Sequence, residues 1–258
     1  MTRRAGASSG SAFRASIGSL VHRICAENMD QWSLPKALAE LEAAWPEIEL
    51  SAEWQRSAEL ADAKAAVQRF DGWLQLRNRQ LIGTEVRVDG TITVPSGTAR
   101  VRGSIDRLER DAEGAYYVVD LKTGTSQSDE IKQSHRLQIG VYQAVVASGG
   151  VEAIGPTSVS GAELVHLRIG AGKGQANPKV DYQNGLVDVP WPDEAEAVDG
   201  CCNWIEASVD RALRIVRSGE YPAIANRGCG HCPARAGCPA LVPMDPATAG
   251  SDRRRNVP

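Results

Sequence analysis

An α/β fold, with strands and helices alternating along one chain, follows from three patterns in the sequence. Val101, Gly103 and Ile105 alternate with Arg102, Ser104 and Asp106, the period-2 signature of a half-buried strand. Asp111-Ala112-Glu113-Gly114 supplies turn chemistry, its glycine free to take positive φ, and the aromatic and β-branched run Tyr116 to Leu121 then returns antiparallel. Leu60, Ala63, Val67, Phe70 and Leu74 recur at alternating spacings of three and four, the stripe of an amphipathic helix.

The remaining elements fall between these. Residues 1–12 are small and polar and are expected to be disordered. Phe13 to Asn28 reads as a helix with Ile17, Leu20, Val21 and Ile24 inward, a short helix follows Pro35, and the striped helix runs from about Glu53 to Leu81. Glu85 to Val94 is the first strand, ahead of the hairpin. His135 to Val146 reads as a helix whose apolar positions are Leu137, Val141, Ala144 and Val145, and Ala162 to Ile169 as a further strand. Gly170 to Gly185 reads as a loop, in which Lys173 and Lys179 either meet a phosphate or are simply solvated. Pro192 is placed to open a helix ending near Gly219. Its apolar stripe of Val198, Cys202, Ile205, Val209, Ala212 and Val216 assigns Cys202 to the core. One domain over residues 13–242 is expected, followed by a disordered basic tail, 243–258, that carries Arg253-Arg254-Arg255.

Composition narrows the class. At 258 residues, 42% apolar and 24% charged, the chain can bury a sizeable core as a soluble globule. A net charge of −3 excludes a broadly basic nucleic-acid coat, but a local groove lined by Arg100, Arg102 and Arg107 suffices where acidic ligands lower the total. No apolar run reaches the length of a membrane span and no signal segment follows Arg3-Arg4, so a cytoplasmic location is expected. The sequence holds no Gly-x-x-x-x-Gly-Lys-Ser/Thr phosphate loop, so any motor must be another chain or domain.

The chemistry concentrates on the hairpin. Asp106 and Asp120 lie fourteen residues apart, and Lys122 follows the second acid by two. Side chains two apart on a strand share a face, so Asp120 and Lys122 stand together while Leu121 points into the core. Carboxylates suit a hard ion, Mg²⁺ or Mn²⁺, which polarises a phosphate and acidifies a bound water. Lys122 can then orient that water or neutralise charge developing on the phosphate, and the Leu121 carbonyl can turn toward the ion. Gln138 and Tyr142 lie one helical turn apart on one face, in reach of a phosphate or base. Together these residues describe metal-dependent phosphodiester cleavage.

The set resembles the RecB-like branch of the PD-(D/E)xK nuclease superfamily, most closely the C-terminal nuclease modules of AdnAB-type helicase–nucleases. The likeness rests on Val101 to Arg110, on Val119-Asp120-Leu121-Lys122-Thr123-Gly124, and on the early Gly18-Ser19-Leu20-Val21-His22, and spans roughly residues 13 to 240. It implies a restriction-endonuclease-like core, a central mixed sheet flanked by helices, with extra N- and C-terminal helices and a C-terminal cysteine cluster. It also implies that His22 is a metal ligand beside Asp106 and Asp120, with Lys122 catalytic and Gln138 and Tyr142 in support. The implied substrate is DNA, single-stranded or at ends, in recombination or repair, alongside a helicase chain or domain.

Cys229, Cys232 and Cys238 form a C-x2-C-x5-C cluster amid Gly and Pro turns, a pattern for a metal or iron–sulfur site. In the resembling family these three join a fourth cysteine upstream of the early histidine to hold a [4Fe–4S] cluster. Residues 1–22 contain no cysteine, so the fourth ligand is not identified. A chain truncated or begun at a misplaced methionine is the expected explanation, and Cys25 is a substitute that would crowd the catalytic metal. The competing readings are a stand-alone RecB-like exonuclease of CRISPR-associated type, an inactive nuclease-derived DNA-binding or assembly module, and a zinc-ribbon-like protein. The last leaves the hairpin acids unexplained.

Overall fold

A computed structural model describes residues 9–27, 32–48, 53–125, 129–172, 176–187, 197–221, 223–224, 229–230, 232–238 and 240. The chain divides into two units, Met1–Arg211 and Ala212–Pro258. The first holds α1 (Ser9–Glu27), α2 (Leu34–Ala44), α3 (Arg56–Leu74), β1 (Gln80–Val94), β2 (Gly97–Arg110), β3 (Tyr116–Lys122), α4 (Asp129–Ala147), β4 (Val159–Gly170), β5 (Pro178–Asn184) and the start of α5 (Trp204–Ser218). One five-stranded sheet runs in the order β1-β2-β3-β4-β5. Only β3 and β4 pair in parallel, because α4 carries the chain across between them; the other neighbours are antiparallel. This is the mixed sheet flanked by helices that the sequence predicts.

Helices α1 to α3 cover one face. Ile17, Leu20, Val21 and Ile24 of α1 and Ala63, Val67 and Phe70 of α3 pack with Tyr117, Val119 and Leu121 of β3. Helix α4 covers the other face, where Val118 and Asp120 alternate with those residues and are also buried. β3 is therefore sandwiched, which is why it reads as an almost unbroken apolar run. Gly114 takes φ +88° in the β2–β3 turn, as the turn chemistry requires.

Several boundaries differ from those read in the sequence, each for a local reason. α3 stops at Leu74 rather than Leu81, unwinding so that Arg77 can reach Glu109 and Glu163. Its last residues open a β1 that begins at Gln80. The expected loop at 170–185 contains β5, an edge strand whose outer side chains, such as the exposed Tyr182, stay polar or amphipathic and so hide the strand pattern. The buried positions of α4 include Ile139, Gln143 and Val146, with Leu137, Val141 and Ala144 only half-buried.

α5 starts at Trp204. The Asn203 side chain accepts from the Ile205 and Glu206 amides, and Glu206 accepts from the Cys202 amide, a capping pair that fixes the start. Cys202 thus precedes the helix and is exposed, which corrects its assignment to the core. Of its expected stripe Ile205 is buried, but Val216 is 60% exposed. Pro192, Lys173 and the tail beyond Pro243 lie outside the described residues. Among the described residues no helix is long and apolar enough to cross a membrane.

Gly18 lets α1 come close. A Cβ there would stand 2.7 Å from the Thr123 hydroxyl, just past the end of β3. His22 follows one turn later on the same helix face. Gly18→Val is expected to push α1 off Thr123, costing about 1–3 kcal/mol and drawing His22 back from the sheet. A urea midpoint near that of the parent, with unweakened Mn²⁺ affinity by calorimetry, would contradict this.

Candidate active site

β2 and β3 remain paired from Arg110–Tyr116 to Arg107–Val119 and then part. Asp106 occupies the fork: its carboxylate accepts a hydrogen bond of 2.6 Å from the Leu121 amide, which spans the gap. From α1, His22 Nδ1 approaches the same oxygen to 3.6 Å. From β1, Glu85 completes the group. The cross-strand pairs Thr84–Arg107 and Val86–Ile105 bracket Glu85 and Asp106, so these two stand opposite one another. The ligand atoms of His22, Glu85 and Asp106 all lie within 4.8 Å of one another, and a small pocket lined also by Cys25, Phe70, Arg107 and Leu121 opens beside them.

Glu85 has φ +45°, a left-handed backbone that a glutamate adopts only at a cost. Ser104 donates to its carboxylate at 3.0 Å. Neither periodicity nor motif singles out Glu85. Counting back from the two-residue turn Pro95-Ser96, where Val94 pairs with Gly97, is the signal that places it across from Asp106.

On the α4 side of β3, Lys122 Nζ lies 2.7 Å from Asp120 Oδ2 and donates to Gln138 Oε1 at 2.9 Å. Asp120 is almost fully buried, and Lys122 is only 18% exposed at its side chain, so the ammonium is held rather than free to sample solvent. Gln138 thus meets the lysine, whereas Tyr142 packs against β2, its hydroxyl 2.9 Å from where a Cβ at Gly103 would be. His166, unmarked by sequence reading, stands in register beside Lys122 on β4 and bonds Asp181 at 2.9 Å. Lys179 also pairs with Asp181.

The electrostatics are those of an acid cluster short of positive charge. Burial, then the neighbouring Asp120 and Glu85, pushes the Asp106 carboxyl up to about 7, against the opposing pull of the Leu121 amide and Lys122. Burial lowers the His22 pKa, leaving a neutral imidazole with a lone pair to donate, while a hydrogen bond to the Leu121 backbone acts the other way. One nitrogen and several carboxylate oxygens crowded into a partly buried site, with Glu85 at its exposed edge, suit a divalent ion, whose charge relieves their mutual repulsion. His22, Glu85 and Asp106 are the residues placed to hold it. Asp120, expected as a ligand, has its carboxylate engaged by Lys122, but it is close enough to act on both Asp106 and His22.

With the folded pKa of Asp106 near 7 and its ordinary value 3.8, the native state binds the extra proton between these limits. Metal-free stability from this group is therefore full below about pH 4 and lost as pH rises to about 7. Asp106→Asn is expected to melt with the parent at pH 4 but above it at pH 8 in EDTA, by roughly 2–4 kcal/mol. Equal offsets at both pH values would refute the assignment.

The cysteines of the second unit lie on successive tight turns: Cys232 donates its amide to the Cys229 carbonyl, Arg235 to Cys232, and Cys238 to Arg235. Cys229 and Cys238 are half-buried and Cys232 is exposed. In the first unit Cys25 is 1% exposed within the core, and burial raises its thiol pKa, so it is a packing residue. Among the described residues His22, Glu85 and Asp106 are the one group with metal-ligand proximity.

Residues 1–239 match the family model of the PD-(D/E)XK nuclease superfamily, and the chain belongs to that superfamily. Its class is accordingly that of the metal-dependent nucleases, on a restriction-endonuclease-like fold. Among solved structures, the crystal structure of SSO0001 is similar over 88% of this chain and 85% of that one, with 17% identity and a TM-score of 0.39. No curated protein matches.

Proposed function

We propose that this chain hydrolyses phosphodiester bonds in DNA with Mg²⁺ or Mn²⁺, acting on single strands or ends in recombination or repair as a RecB-like nuclease of AdnAB type, beside a helicase chain or domain. The observation that carries the reading is Lys122, fixed between the Asp120 carboxylate and the Gln138 amide at the rim of an acid–histidine cluster. A lysine pinned in this way is a preorganised positive charge, the arrangement that stabilises a phosphorane-like transition state without reorganisation at the moment of reaction. His22, Glu85 and Asp106 would hold the ion, which when bound supplies Lewis acidity and an acidified water. Asp106 would have to be ionised to serve as a ligand, which its raised pKa makes easier at alkaline than at acidic pH. Gln138 keeps Lys122 oriented, and Tyr142 stiffens β2 at Gly103, three residues before Asp106.

The test is cleavage of end-labelled single-stranded DNA in Mn²⁺, with EDTA as the control. Labelled products that appear only with metal support the reading, and uncut DNA in the presence of folded, metal-loaded protein refutes it.

The three C-terminal thiols are proposed as ligands of an iron–sulfur cluster, supported by their turn geometry and C-x2-C-x5-C spacing. With Cys25 committed to the core, the described residues leave the fourth ligand unassigned. Iron and sulfide content of anaerobically purified protein decides it, since stoichiometric zinc without sulfide would replace this proposal with a structural zinc site.

A further inference from the structure

β1 and β2 continue well past the site as a two-stranded ribbon, and its two faces differ. Val88, Ile92 and Val94 point to the α4 side and are buried. On the opposite face, rows of facing residues lead outward from Glu85 and Asp106: Arg87 with Ser104, Asp89 with Arg102, Thr91 with Arg100, and Thr93 with Thr98. Every one of these except the half-exposed Ser104 is exposed. Arg100 and Arg102 are 60% and 64% exposed at their side chains, although both reach Asp89, Arg100 through two bonds of 2.7 Å. Three guanidinia against one carboxylate leave the face net positive on a chain whose total charge is −3.

We propose that this face is the track on which a single DNA strand lies as it runs to or from the active site. The proposal rests on the nuclease reading and adds the path of the substrate. Same-face positions on a strand repeat about every 7 Å, so Arg87, Arg102 and Arg100 mark steps of roughly 7, 14 and 20 Å from Asp106. An extended phosphodiester backbone repeats on the same scale. The ribbon is only about 5 Å between strand axes, a width suited to one backbone rather than a duplex. Arg87 and the threonine hydroxyls supply donors between the rows. Asp89 holds Arg100 and Arg102 in place while no phosphate is present, and it competes with phosphate for them.

That competition gives a test in both directions. Binding of fluorescent dT20 is measured by anisotropy without divalent ion, so the result does not depend on whether the centre cuts. Arg100→Ala/Arg102→Ala is expected to weaken binding about tenfold and to flatten the slope of log affinity against log salt by about 1.4, the change for two single-strand phosphate contacts. Asp89→Asn, which frees both guanidinia, is expected to tighten binding about threefold, a gain that a merely structural role would not produce. Lys36→Ala/Lys64→Ala removes two cations from ion pairs on α2 and α3 and serves as the charge-matched control. The proposal is overturned if the arginine variant binds like the parent, if the lysine control weakens binding equally, if Asp89→Asn leaves affinity unchanged or lower, or if blunt duplex displaces dT20 more effectively than unlabelled single strand. Failure of the nuclease reading appears separately, as uncut DNA in Mn²⁺.

Discussion

Lys122→Ala lowers metal-dependent cleavage of single-stranded DNA by at least about 100-fold, the loss typical when one preorganised charge is withdrawn from a developing anion. The drop falls on kcat, because the ammonium contributes to the transition state and little to holding the strand. Gln138→Ala, which only releases the lysine from its 2.9 Å contact, is expected to lose about tenfold and to leave the charge itself in place. The ordering is diagnostic: equal losses would make Gln138 a direct participant, and an active Lys122→Ala would sink the assignment. Lys122→Ala also leaves the buried Asp120 without its cation, so its melting midpoint in EDTA falls. Rates are therefore compared well below that midpoint, with single-turnover kinetics on folded protein.

Arg77→Ala is expected to destabilise the first unit by about 3–5 kcal/mol in urea unfolding, while chemistry on the surviving folded fraction persists. Glu109 and Glu163 are both fully buried, and Arg77 bridges them, reaching Glu163 at 2.7 Å and pairing with Glu109. Arg107 takes the other side of Glu109 at 2.6 Å, and Trp73 donates its indole N–H to Glu163 at 3.0 Å beneath the Arg77 guanidinium. Removing Arg77 leaves Glu109 paired with Arg107 but takes the ion-pair partner from Glu163, which keeps the Trp73 indole N–H, and burial already raises the Glu163 pKa. Arg77→Ala/Glu163→Gln recovers part of the loss if this charge imbalance is the cause. A single variant within 1 kcal/mol of the parent would show the network to be expendable.

What the sequence discloses and what it hides divide along physical lines. The placing of Asp106, Asp120 and Lys122 on one hairpin is legible because strand alternation and a short turn are local rules, whereas Gln138, expected to meet a phosphate or base, bonds Lys122, a contact set by how α4 crosses back over β3. His22 emerged through resemblance to a family, since a histidine on an amphipathic helix carries no signal of its own. Glu85 was hidden because its role depends on pairing register, set by a turn ten residues away, and on a strained φ that no composition rule anticipates. The half-buried Arg77 and the buried Glu109 and Glu163 look, one by one, like surface charges. Edge strand β5 was missed because a strand with one wet face and polar residues resembles a loop.

The order of the sheet has a kinetic consequence. Asp106 and Asp120 are joined through the short β2–β3 turn, whereas β3–β4 pairing must wait for the α4 crossover, and His22 arrives from the chain's other end. Contacts of low sequence separation form first, because closing a short loop forfeits less chain entropy. The two acids are thus expected to meet in a hairpin before any histidine is near. Pulse-labelling hydrogen exchange during refolding should protect the Tyr117 and Val119 amides, which face β2, ahead of those of Val21 and His22, and the reverse order would refute it. A nascent chain would then pass through a stage in which its carboxylates are assembled but too few ligands are present to retain an ion, so the protein comes into being disarmed and is armed only by its final docking step.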